Sequence, residues 1–222
     1  DALPISLFSD FNNPCIDTML NSDYPALMGY TEEEVKTLLK NMGREDSLAE
    51  VKDMYDGYSF AGVSDIYNPY SVNYYLAMNE LDPYWINSSQ SSLPKEIIIE
   101  GATDIKEAFA NLLGGEDVWT RLPTDLTYEK LYQEKSAALS LLFFSGYLKV
   151  VDKQRAQNNK EYIYKVRIPN KEIWFYYEST VTEWLEQRFS PAGSQMLLDF
   201  CSALLAGDTE KMTAILSELA RS

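Results

Sequence analysis

Tyr147-Leu148-Lys149-Val150-Val151, a polar run from Gln154 to Asn159, then Tyr162-Ile163-Tyr164-Lys165-Val166-Arg167-Ile168 and the stop Pro169-Asn170 decide between an all-helical chain and a mixed one. β-Branched and aromatic residues crowd both runs, and a polar loop divides them. That pattern predicts two antiparallel strands, ended by the proline. Before them, Thr127 is placed to cap a helix running through the apolar stretch Ala137 to Phe144 as far as Ser145-Gly146. After them, a helix from Glu172 to about Phe189 carries Ile173, Tyr176, Tyr177, Val181, Trp184 and Leu185 on or near one face. Helix, hairpin, helix is the order of the second half of a winged-helix unit. Ser190-Pro191 and Gly207-Asp208 then punctuate two last helices, 191–205 and 208–220.

Upstream the period is helical. Thr31-Glu32-Glu33-Glu34 is a capping box, and Val35, Leu38 and Leu39 form the apolar stripe behind it. Ser47-x-x-Glu50 repeats the device ahead of Leu48, Val51 and Met54. Asn68-Pro69 sets a cap and a first-turn proline for a helix toward Met78. Three short helices in so few residues predict a small helical bundle. Beyond it, Trp85-Ile86-Asn87-Ser88-Ser89 reads as a strand end or loop, Pro94 to Glu100 as a helix start, and Ile105 to Leu113 as a helix stopped by Gly114-Gly115. Residues 3–9 alternate like a strand, and Asn12-Asn13-Pro14 interrupts any regular element between Asp10 and Tyr24. A lone strand leaves its amides and carbonyls unpaired, so this segment is expected to be disordered or paired with another copy. The predicted class is α+β, mainly α. Its expected parts are a remnant segment at 1–28, a helical subdomain at 29–125, and a winged-helix-like subdomain with C-terminal helices at 126–222.

Composition narrows the chemistry. There is no histidine among the 222 residues, which removes Ser-His-Asp and Cys-His catalysis and the commonest zinc ligand. The longest near-apolar runs fall well short of the roughly 20 residues of a membrane span, and no basic region followed by an apolar core opens the chain. Cys15 and Cys201 read either as reduced, packed thiols of a cytoplasmic protein or as a disulfide. The net charge is −15, from 19 basic and 34 acidic residues, so the surface as a whole repels phosphates. Residues 149–171 depart from it, with Lys149, Lys153, Arg155, Lys160, Lys165, Arg167 and Lys171 against Asp152 and Glu161.

No Gly-x-x-x-x-Gly-Lys-Ser/Thr loop and no Gly-x-Gly-x-x-Gly turn is present, so no phosphate cradle is expected within the chain. Glu34-Val35-Lys36, with Asp23 upstream, has the acid-x-lysine spacing of metal-dependent nucleases. Such ligands need a strand to face one metal, and this triplet falls in a capped helix. No metal ligand is assigned. Tyr55-Asp56-Gly57-Tyr58-Ser59-Phe60, followed by Ile66-Tyr67-Asn68-Pro69, is either a stacking platform for a glycan, peptide or base, or a packed turn whose hydroxyls satisfy the backbone. The basic hairpin is a nucleic-acid grip through Lys149, Lys153, Arg155, Lys160, Lys165 and Arg167, an edge guarded by lysines, or a docking surface for an acidic neighbour.

Several of these strings together resemble one family. Gly29-Tyr30-Thr31-Glu32-Glu33-Glu34-Val35, Val51-Lys52-x-x-Tyr55-Asp56-Gly57-Tyr58-x-Phe60 and Ile66-Tyr67-Asn68-Pro69-x-Ser71-Val72 are similar to the AAA-ATPase-like proteins of gut and anaerobic bacteria. Tyr84-Trp85-x-Asn87-Ser88-Ser89, Ser145-Gly146-Tyr147-Leu148 and Arg167-Ile168-Pro169-Asn170-Lys171-Glu172 come after them in the same order. Ser6 to Asn13 resembles the end of that family's nucleotide-binding core. The resemblance implies a P-loop core before Asp1, with ATP and magnesium bound there. A restriction-type nuclease domain would follow Ser222. It carries no catalytic residue onto this chain. What it implies here is a non-catalytic lid and regulatory portion, partnered by those two domains.

Overall fold

The structure, a computed structural model, describes residues 29–60, 63–88, 92–156, 161–188, 199 and 209–219. The expected strand at 3–9, both cysteines, Asp23 and Lys160 lie outside them, as does the expected helix at 191–205 except for Asp199. The chain divides into two units, Asp1–Tyr177 and Glu178–Ser222. The architecture is α+β and mainly α, with two three-stranded antiparallel sheets among the described residues. No described helix is long and apolar enough to cross a membrane.

The first unit opens with strand β1 (Tyr30–Thr31) and helix α1 (Glu32–Asn41). The predicted capping box is formed in both directions: Glu34 N–H donates to Thr31 Oγ1, and Thr31 N–H donates to the Glu34 carboxylate at 2.9 Å. Helix α2 (Leu48–Tyr55) forms as expected, but Ser47 does not cap it. A 3-10 turn over Glu45–Ser47 runs straight into α2, so Ser47 takes helical dihedrals and its hydroxyl cannot reach back to the first-turn amides. Strands β2 (Tyr58–Phe60) and β3 (Val63–Tyr67) come next, and β3 lies between β1 and β2. Helix α3 (Pro69–Met78) starts as the sequence predicts, with Asn68 Oδ1 accepting from Tyr70 N–H at 3.0 Å. The bundle is therefore three helices on a small sheet. Its core is Val35, Leu39, Val51, Met54, Tyr55, Tyr67, Val72 and Tyr75.

A second core gathers helices α5 (Leu93–Glu100), α6 (Thr103–Leu113), α7 (Tyr128–Gln133) and α8 (Lys135–Phe144) with a second sheet and the start of helix α9 (Lys171–Arg188). The expected helix from Thr127 to Phe144 is two helices. The Tyr132 carbonyl accepts from Ala102 N–H at 2.9 Å instead of continuing the helical ladder, and Glu134 is extended. Residues 84–88, expected as a strand end or loop, form the short helix α4 (Tyr84–Ser88). The second sheet pairs β5 (Lys149–Arg155) with β6 (Tyr162–Arg167) and adds β4 (Val118–Thr120) on the far side of β6. β4 lies before the expected boundary at 125/126, so this sheet joins the two expected subdomains. In the second unit, α9 continues to Arg188, and α10 (Thr209–Leu219) realises the last predicted helix.

Candidate functional site

The motif residues meet where the two cores of the first unit adjoin. Gly57 has φ +111°, a backbone setting that favours glycine, and a Cβ there would lie 2.1 Å from the Pro169 carbonyl oxygen. The turn after α2 and the turn before α9 thus touch backbone to backbone. Asn170 fastens them with both ends of its amide. Its Nδ2 donates to the Asp56 carbonyl at 2.8 Å, and its Oδ1 accepts from Ile173 N–H at 3.1 Å, capping α9.

Two residues on, the fully buried carboxylate of Glu172 accepts from the Ser71 hydroxyl at 2.9 and 3.0 Å and from Trp85 N–H at 2.8 Å. One side chain therefore ties α9 to α3 and α4. This also explains the helical turn at 84–88, whose first amides are satisfied from a residue far along the chain. Burial pushes Glu172 up to about 7, against the lowering effect of those donors. Nearby, Tyr55 donates to the Asp82 carbonyl at 2.9 Å and accepts from Asp82 N–H at 3.1 Å.

Beside this junction runs a groove of about 510 Å³ whose lining includes Lys52, Asp56, Gly57, Lys149, Asn170 and Trp174. Lys52 is the hub of its charges. It pairs with Glu32, with Asp65 at 3.0 Å and with Asp56 at 3.9 Å, and Glu32 and Asp65 hold its ammonium well above the usual lysine range. Asp65 holds its place with φ 59°, uncommon for a residue with a side chain. Asp56 is buried, and desolvation raises it to about 6. Burial lowers the half-buried Lys149. The arrangement can bind and orient polar groups. Among the described residues no cluster of three or more acids or cysteines stands where it could hold a metal.

Of the residues singled out from sequence, Tyr55, Asp56, Gly57, Tyr58, Tyr67, Trp85, Pro169 and Asn170 all lie at or around the junction, and Asn68-Pro69 starts the helix that brings Ser71 to it. Phe60 ends β2, and Asn87 is exposed, outside the cluster. Tyr55, Tyr58 and Tyr67 are buried, so these three rings offer no open face to a glycan or base; the Tyr55 hydroxyl satisfies the backbone as the packed-turn reading expects, whereas the Tyr67 hydroxyl has no hydrogen-bond partner among the described residues. Sequence reasoning missed Ser71, Asp82 and Glu172 as a set. Glu172 stood in the quoted motif, but an acid in a first helical turn reads locally as a solvated dipole partner.

The basic hairpin does not gather its charges on one face. Val166 packs in the core, so its neighbours Lys165 and Arg167 point away from it. A bulge at Val151 shifts the register of β5. Lys149 then pairs with Arg167 on the outer face, whereas Lys153 and Arg155 pair with Tyr164 and Tyr162 on the core-facing side. Lys165 and Arg167 are both held by Asp117, at 2.9 and 2.6 Å. Lys153 and Arg155 lie over the ring of Tyr162, at 5.7 and 5.3 Å from its centroid.

A protein described as "Uncharacterized protein in vnfD 5'region", from Azotobacter chroococcum mcd 1, is 27% identical over 197 residues, covering 87% of this chain and 34% of that protein. The chain thus spans about a third of the length of this relative. No protein-family model matches the sequence. No solved structure matches it.

Proposed function

We propose that this chain is the non-catalytic lid and coupling portion of a larger AAA-ATPase-like protein. It closes over a nucleotide held by a preceding core and passes the nucleotide state to a neighbouring domain. The observation that carries the reading is the junction: the motifs of the family resemblance converge on Asn170, Glu172 and Gly57, which lock two subdomains into one unit able to move as a body. Two further features support it. The order α8, β5, β6, α9, completed by β4, suits a winged-helix-like arrangement. The similarity extends over 34% of a longer protein, which leaves room for a core and a further domain. In this reading ATP and magnesium belong to the core, and the whole works in the cytoplasm.

Calorimetric titration with Mg-ATP tests it. The chain alone is expected to show no measurable heat, and a protein extended upstream is expected to bind. Tight binding by the chain alone, or none by the extended protein, overturns the reading.

A second reading, nucleic-acid binding, rests on one feature. Lys153 and Arg155 stacked over Tyr162, which is 42% exposed, put two cations and a ring at the distal part of the hairpin. Titration against DNA at low and moderate salt decides it, because phosphate contacts weaken steeply with salt.

A further inference from the structure

Glu172 is a carboxyl group with no counter-ion. Its side chain is fully buried, and among the described residues it enters no ion pair. What faces it is neutral or acidic. From α3 comes the Ser71 hydroxyl, and from α4 the amides of Trp85 and Ile86. The phenols of Tyr55, from α2, and Tyr58, from β2, lie within its field, as does the Asp82 carboxylate ahead of α4. No lysine or arginine is among these groups. Ser71 can donate its hydroxyl proton to the ionised carboxylate or accept one from the protonated acid. The tie therefore exists in both protonation states, at different cost.

We propose that Glu172 is a proton-operated latch: protonated, it holds the first turn of α9 against α3 and α4, and ionised, it loosens that hold. The physical reason is that opening the junction lets the charge hydrate, whereas the closed junction keeps it dry and uncompensated. Its ordinary value of 4.5 rises to about 7 in the folded chain. A raised acid favours the folded state fully below 4.5, and the advantage is lost as pH climbs through 7. Asp56, raised to about 6, acts in the same direction, so Glu172 must be isolated by comparison. The inference concerns this chain alone and does not depend on any nucleotide.

The test compares unfolding by urea in the wild type and Glu172→Gln, which keeps the shape and both hydrogen-bonding directions without a charge. Between pH 5 and pH 8 the wild-type unfolding constant, relative to that of the variant, is expected to rise by roughly two orders of magnitude. A ratio unchanged across that range overturns the proposal. Carbon-13 titration of the glutamate carboxyls in the wild type needs no variant. One resonance is expected to titrate near neutrality, and Glu172 titrating in the ordinary carboxylate range sinks the latch. Exchange of the Trp85 amide, corrected for intrinsic rate, should lose protection over the same range in the wild type and keep it in Glu172→Gln.

Discussion

Glu172 and Asp117 are both carboxylates that hold separate elements together, and they do it in opposite ways. Glu172 sits dry at the junction and relies on a hydroxyl and backbone amides. Asp117, with a side chain 10% exposed, grips Arg167 through two hydrogen bonds of 2.6 and 3.0 Å and Lys165 beside it. Burial pushes the first up, and the guanidinium and ammonium hold the second down. The difference teaches that the chain uses desolvation where its subdomains meet and charge pairing where its sheet meets water. The two regions should therefore answer to pH with opposite sign.

The sharpest break is Gly57→Ala. Its methyl group must displace the Pro169 carbonyl or force the backbone out of φ +111°. A loss of about 3 kcal/mol or more is expected in urea unfolding, and a loss below about 1 kcal/mol would show that the two turns are not in contact. Asn170→Ala comes next. It removes the cap of α9 and leaves the Asp56 carbonyl without its donor, for an expected loss of about 2 kcal/mol. Asp117→Asn should cost about 1 kcal/mol at pH 7. Because Asp117 is held below its ordinary 3.8, that contribution is present above this value and fades as pH falls through the lowered one. A variant equally weakened at pH 3 and pH 7 would contradict the pairing. The smallest effect belongs to Lys153→Ala with Arg155→Ala, expected to change stability by no more than about 0.5 kcal/mol. In the same double variant, loss of low-salt DNA binding would favour the second reading of function, and unchanged binding would remove it.

Local signals were legible where the partner lies within one turn. The Thr31–Glu34 box, the Asn68-Pro69 start, the stop at Gly114-Gly115 and the β5–β6 hairpin are all written in neighbouring residues. What escaped was set at a distance. The first sheet is made of short strands, and β1 pairs with β3 across two intervening helices, Tyr30 opposite Tyr67. Strand β4 is three residues long and exists because β6 offers it an edge. Helix α4 lacks a local cap because Glu172 supplies one. The candidate site was half visible. Tyr55 to Tyr58, Trp85 and Pro169-Asn170 stood out as unusual strings, but periodicity does not say that they touch. Nor does alternation along a strand foresee an inserted residue, so the cations of the hairpin looked like one patch.

That inserted residue, Val151, works as a charge separator. Were Val151 paired opposite Lys165 in regular register instead of bulged, the distal half of β5 would move by one residue against β6. Lys153 and Arg155 would then swing round to join Lys149, Lys165 and Arg167, giving five positive side chains along one side of a single ribbon. A hairpin now divided between two faces, with Lys165 and Arg167 paired to Asp117, would become a polycationic strip. The change needs no new basic residue, only the loss of the bulge.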